Sequence, residues 1–133
     1  MFRRELEGNL QSAIAETGMG CIVFSPLAQG LLTERYLNGI PKDSRATKSP
    51  FLTKAQVEEK LPCIKALHQL ALERGHTLTE MALAWNLRLK EITSALIGAS
   101  RVSQIEEALR SLKNLDFSSE ELSKIEDILA GNF

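Results

Sequence analysis

The chain has 133 residues, enough for one ordinary domain, with 44% hydrophobic and 25% charged residues and a formal net charge of −1. The absence of a basic cluster and the few aromatics argue against a nucleic-acid partner. No run approaches the ~18 apolar residues of a membrane span, and MFRRELEGNL at the start lacks the apolar core of a signal peptide.

Residues 5–17 carry Leu6, Leu10, Ala13, Ile14 and Thr17 at helical spacing, and Gly18 is the expected stop. CIVFS at 21–25 is short, apolar on both faces and rich in strand formers, which suits a strand buried in a parallel sheet. Pro26 ends it, having no N–H for a ladder. Cys21 and Cys63 lie in apolar surroundings without metal-ligand spacing. Reduced, buried thiols of a cytoplasmic protein are expected.

Residues 26–52 read as loop with one short helical turn around Leu31–Leu37, and the polar stretch NGIPKDSRATKSP is long for a simple connection. Loops of this kind are lids or binding loops, or else plain surface loops. Thr53 with Gln56 forms the pattern of a capping box and opens a long helix whose stripe is Val57, Leu61, Ile64, Leu67 and Ala71. Pro62 is expected to kink or split it, and Gly75 to stop it. A second box, Thr77 with Glu80, opens a helix apolar almost all round, so that Trp85 belongs to the core.

ITSALI at 92–97 is the second strand and Gly98-Ala99-Ser100 a turn, with Ser100 as the expected N-cap of the next helix. That helix places Val102, Ile105, Leu109 and Leu112 on one face. Ser118 and Glu121 cap a last helix with Leu122, Ile125 and Leu129 inward, and Gly131 ends it. Strands separated by helices mean parallel βα units. Yet two parallel strands do not make a sheet that stands alone, so the sequence predicts that strands of the fold lie outside this chain.

Four motifs carry a resemblance that runs through essentially all of the chain: FSPLAQGLLTERYLNGIP at 24–41, SRA at 44–46, MALAWNLR at 81–88 and LIGASRVSQIEEAL at 96–109. In order and spacing they resemble the C-terminal part of an aldo-keto reductase, an NADP(H)-dependent (β/α)8 (TIM) barrel oxidoreductase. The nearest branch holds the bacterial glyceraldehyde 3-phosphate reductase relatives and the potassium-channel β subunits. The resemblance implies an α/β fold made of strands seven and eight of the barrel with their surrounding helices, incomplete as a barrel and forming one partial domain over residues 1–133.

It further implies that Phe24, Ser25, Pro26, Leu27, Ala28 and Gln29 run beside the pyrophosphate and ribose of the cofactor. Arg35 reaches a phosphate, and Arg45 folds over the cofactor. By the same resemblance Gly98, Ala99, Ser100 and Arg101 hold the 2′-phosphate of NADP, and Gln104 and Glu107 contact the adenine and its ribose. A dianion at a helix N-terminus beside one Arg fits the charge logic of both. Read without the resemblance, Arg35 and Arg45 are solvated loop charges, and Gln104 and Glu107 an exposed helix face. Ala108 stands where many relatives carry Asn, which puts one adenine contact in question.

The family reduces carbonyls with a Tyr acid, a Lys and an Asp that tune it, and a His or similar group that orients the substrate. The single tyrosine, Tyr36, and the two histidines, His68 and His76, match none of these positions, so no catalytic residue is assigned. There is no nucleophile elbow, Walker loop or metal-ligand cluster either. The expected function is therefore part of an NADP(H)-dependent reductase of a small carbonyl substrate, lacking the catalytic tetrad and inactive alone, with homo-oligomers possible. The alternatives are a channel β-subunit-like regulatory protein that keeps the nucleotide as a ligand, and an inactive truncated fragment.

Overall fold

The computed structural model describes residues 1–132. Its elements are α1 (Asn9–Thr17), β1 (Cys21–Phe24), α2 (Arg45–Lys48), α3 (Lys54–Glu73), α4 (Leu78–Leu87), β2 (Ile92–Leu96), α5 (Val102–Arg110) and α6 (Ser119–Ala130). Three 3-10 turns, at Ala28–Gly30, Glu34–Tyr36 and Ser111–Lys113, complete the order.

α1 starts at Asn9 rather than at residue 5. Gly8 takes φ 85 and breaks the path, so residues 5–8 form a turn instead. Gly18, at φ 68, stops the helix as expected. β1 ends at Phe24, one residue earlier than expected, because Ser25 turns out of the ladder at φ 52.

α3 runs continuously through Pro62, so the proline does not split it into two helices. Pro62 and Glu58 are both exposed, so the carbonyl deprived of its partner is left to solvent. Val57, Ile64, Leu67, Leu70 and Ala71 bury the opposite face on both sides of it. Three capping boxes form as the sequence predicts. In each, a hydroxyl accepts from the N3 backbone N–H: Thr53 from Gln56 at 3.2 Å, Thr77 from Glu80 at 3.1 Å and Ser118 from Glu121 at 3.1 Å. In each the N3 side chain answers by accepting from the cap N–H.

β1 and β2 pair in parallel, with Ile22 opposite Ser94, Val23 opposite Ala95 and Phe24 opposite Leu96. Residues 25–91 cross over between them. The core lies among the helices: Ile64, Leu67, Ala71, Leu78, Met81, Ala82, Trp85 and Ile125 are buried in one cluster with Leu32 and Tyr36 of the loop. α4 is buried from Leu78 to Trp85, as its all-round apolarity requires. Cys21 and Cys63 are free thiols but only half-buried, Cys21 at the start of β1 and Cys63 on α3 at the margin of the helical core.

Val102, Ile105 and Leu109 of α5, with Leu112 of the turn after it, carry the apolar residues the sequence sets on one face and are 70%, 46%, 59% and 54% exposed. Ile22 and Phe24 of β1 and Leu96 of β2 are likewise exposed. The periodicity is that of a buried face. The neighbour that would bury it is not among the described residues.

Candidate functional site

Parallel pairing sets the C-terminal ends of β1 and β2 side by side, so the segments leaving them, 25–29 and 97–101, emerge from one end of the sheet. The first of these is backbone under constraint. Ser25, Ala28 and Gln29 have φ of 52, 47 and 60, the left-handed region that residues with a Cβ seldom occupy. Local bonds hold it there. The Ala28 N–H donates to the Ser25 carbonyl at 2.9 Å, the Gly30 N–H to Leu27 at 2.9 Å and the Leu32 N–H to Leu27 at 3.2 Å. Two longer tethers pin it to the body. Asn86 Nδ2 of α4 donates to the Pro26 carbonyl at 3.5 Å, and Gln29 Nε2 to the Phe51 carbonyl at 3.3 Å. Neither the left-handed backbone nor the Asn86 tether was expected from the sequence, since each depends on where a distant segment comes to lie.

At the end of β2, Gly98, Ala99, Ser100 and Arg101 are all exposed. The N-cap of α5 is Arg101, not Ser100, and the cap chemistry comes from Gln104. Its Oε1 accepts from the Ser100 N–H at 2.8 Å, the Arg101 N–H at 3.2 Å and the Ser100 hydroxyl at 3.3 Å. Three donors thus converge on one oxygen at the positive end of a helix. The spacing that could have signalled this is in the sequence, since Arg101 and Gln104 stand three apart like the cap and N3 of the other boxes.

The remaining expected residues lie elsewhere or are engaged. The guanidinium of Arg35 pairs with Asp43 Oδ2 at 3.2 Å across the loop. Arg45 opens α2 and is exposed. Glu107 Oε1 accepts from the Thr77 hydroxyl at 2.7 Å, which lays its carboxylate against the start of α4. The Tyr36 side chain is fully buried, its hydroxyl without a partner, and cannot touch a substrate. His68 Nδ1 lies 3.8 Å from Glu34, and His76 Nδ1 accepts from Arg74 Nε at 3.4 Å, both in the helical body. Among the described residues no group of His, Cys, Asp and Glu is placed to hold a metal ion. No helix among the described residues is long and apolar enough to cross a membrane.

A cleft of about 900 Å³ runs along β1 and reaches Ser25 and Gln29. Its far wall is the segment before α1. Arg4 secures that wall by donating to Glu126 at 2.9 Å and to Glu7, and Arg88 by donating to Glu7 at 3.4 Å. Trp85 lies beneath both arginines, with the Arg88 guanidinium 3.8 Å and that of Arg4 5.0 Å from its ring centroid.

Parallel strands joined through helices, with their C-terminal ends side by side, define an α/β fold. The family model described as "Aldo/keto reductase family" matches residues 1–130, and the chain belongs to that family. It is 45% identical over 129 residues to the L-glyceraldehyde 3-phosphate reductase of Escherichia coli, covering 93% of this chain and 37% of that protein. It is 34% identical over 118 residues to a candidate voltage-gated potassium channel subunit beta of Schizosaccharomyces pombe, covering 84% of this chain and 34% of the other. Its fold matches the solved glycerol dehydrogenase of Gluconobacter oxydans with a TM-score of 0.79 at 25% identity, over 98% of this chain and 40% of that one. The chain therefore spans less than half the length of each of these relatives.

Proposed function

We propose that this chain is the C-terminal portion of an NADP(H)-dependent aldo-keto reductase, supplying the adenosine and phosphate end of the cofactor site as one partial barrel domain. The observation that carries the reading is the set of three donors at the start of α5, from Ser100 and Arg101, now held by Gln104 Oε1. A phosphate oxygen accepts the same donors once Gln104 turns aside, and the exposed Arg101 guanidinium adds the charge a 2′-phosphate needs. Gly98 and Ala99 leave the approach open. Ser25 to Gln29 line the route of the pyrophosphate and ribose, and Arg35 and Arg45 stand along the loop that closes over it. Gln104 and Glu107 face the adenine end.

When bound, the cofactor supplies the hydride that reduces a small aldehyde or ketone. This chain's own part is to bind and orient the far end of that cofactor. The proton donor and its partners lie on the portion of the protein that this chain does not span, so the 133 residues alone are inactive. NADPH-dependent aldehyde reduction by the pure chain would overturn that statement. We place the whole protein in the cytoplasm, acting on a carbonyl metabolite, with self-association of the intact protein allowed.

The relative from Schizosaccharomyces pombe supports a second reading, a regulatory protein that keeps the nucleotide as a ligand. Copurification of a membrane partner distinguishes it from the enzyme. The first test is a titration of NADPH into the chain, followed by cofactor fluorescence and thermal melting. A saturable signal and a raised melting temperature are expected. A flat titration together with a broad melt would remove the reading of this chain as a cofactor-binding unit.

A further inference from the structure

We infer that Thr77 and the Glu80–Arg110 pair are positioning residues for the cofactor: they clasp the first turn of α4 to the second half of α5 and so set where α5 holds the donors of Ser100 and Arg101. The inference rests on the reading of α5 as the 2′-phosphate end of the cofactor site. It adds to that site residues that act through α5 and touch no ligand themselves.

Thr77 and Glu80 stand three apart at the start of α4, and Glu107 and Arg110 three apart toward the end of α5, so each pair shares a face of its helix. The Thr77 hydroxyl accepts from the Glu80 N–H at 3.1 Å and donates its own proton to Glu107 Oε1 at 2.7 Å. Glu80 uses both oxygens: Oε2 accepts from the Thr77 N–H at 3.0 Å and Oε1 from Arg110 Nε at 2.6 Å. The capping box of α4 thereby carries two straps across to α5. α4 is buried from Leu78 to Trp85, which makes it a fixed base for them.

No residue of α5 is itself fully buried. Ser111, in the turn after it, is buried and donates to the Ala108 carbonyl at 2.6 Å, which holds the far end. Apolar contact is non-directional and lets a helix tilt or slide, whereas two charge-assisted hydrogen bonds at separate residues resist both. At 1.5 Å per residue Glu107 stands about 9 Å along the helix from Arg101. A tilt of roughly 10° at the clasp therefore carries the cap roughly 1.5 Å. That is enough to spoil a donor set whose bonds are 2.8 to 3.3 Å long.

The test measures dissociation constants of NADPH and NADH for the intact protein, since only NADPH carries the 2′-phosphate. Thr77→Asp keeps a good N-cap for α4 but sets a carboxylate, not a donor, against Glu107. It is expected to lower the preference for NADPH over NADH by about ten-fold or more, with the melting temperature little changed. Thr77→Ser keeps both cap and donor and is expected to keep the preference. Thr77→Asp with Glu107→Gln returns the donor from the other side and is expected to restore it. A change at the adenine end acts on both cofactors alike and cancels in the ratio. Arg110→Gln, at an exposed position, opens the second strap without touching the cap and is expected to lower the same ratio. A preference unchanged in either Thr77→Asp or Arg110→Gln, or equal losses for the two cofactors, overturns the inference and leaves the cofactor reading in place. A parent protein that binds NADPH no more tightly than NADH removes the reading of α5 and the inference with it.

Discussion

Arg101 and Gln104 share one turn of backbone and play opposed parts. Gln104 satisfies the helix start when nothing else does, and Arg101 projects its charge into solvent. Only the 2′-phosphate distinguishes NADPH from NADH, so Arg101→Ala is expected to weaken NADPH by roughly ten-fold or more, the worth of one charge-assisted hydrogen bond. NADH should change little. Isothermal titration of both cofactors into the intact protein checks this, and equal losses would show that Arg101 does not read the phosphate. The residue types of this site were legible in the sequence through the motif LIGASRVSQIEEAL. The capping role of Gln104 and the seat of Glu107 on the Thr77 hydroxyl were not, because side-chain rotamers are chosen by neighbours that sequence spacing does not reveal.

Individual elements were readable where their signals are local. The three hydroxyl capping boxes and the glycine stops at Gly18 and Gly131 need nothing beyond a few consecutive residues. The start of α1 was misread because the apolar spacing continues through Gly8 while the backbone does not. Pro62 does not split α3, because the cost of a proline depends on whether the carbonyl it strands is buried, and Glu58 is exposed. A tighter constraint sits just before β1. A Cβ on Gly20 would lie 2.1 Å from Thr93 Oγ1 and 3.2 Å from its Cβ, at the first residues of the paired strands. Gly20→Ala is therefore expected to destabilise the protein by about 1–3 kcal/mol through overpacking. Adding Thr93→Ala should recover most of it, as urea unfolding of the single and double variants would measure. Equal stability of Gly20→Ala and the parent protein would show that the strands separate freely there.

For the molecule as a whole, acid stability follows from groups in the helical body. Burial, then the guanidinium of Arg74, holds the His76 imidazole below its usual range, against the opposing pull of Glu80 and Glu121. The unfolded chain takes up that proton near pH 6.5 and the folded chain only at lower pH, so stability declines as pH falls below about 6.5. Burial raises the Glu80 and Glu121 carboxyls, but the Thr77 N–H with Arg110, and the Ser118 N–H with Arg74, outweigh it and hold both below the ordinary carboxylate range. Their contribution is present above about pH 4.3 and is lost as pH falls through their folded values. Melting temperature recorded from pH 7.5 to 5 should drop on the acid side, and His76→Gln should flatten that drop; an unchanged slope would assign it to other groups. The shortage of strands was visible in the sequence, as two strand signals in a βα pattern. The open face of α5 was not, since a periodic stripe states which side is apolar and never what lies against it. The pairing of Cys21 with Ile92 also carries a kinetic consequence. Residues 25–91 separate the two strands, so β2 leaves the ribosome some seconds after β1 at ordinary rates of synthesis. The helices between them close within microseconds on their own local caps, and the ladder from Cys21–Phe24 to Ile92–Leu96 forms after the helices it encloses.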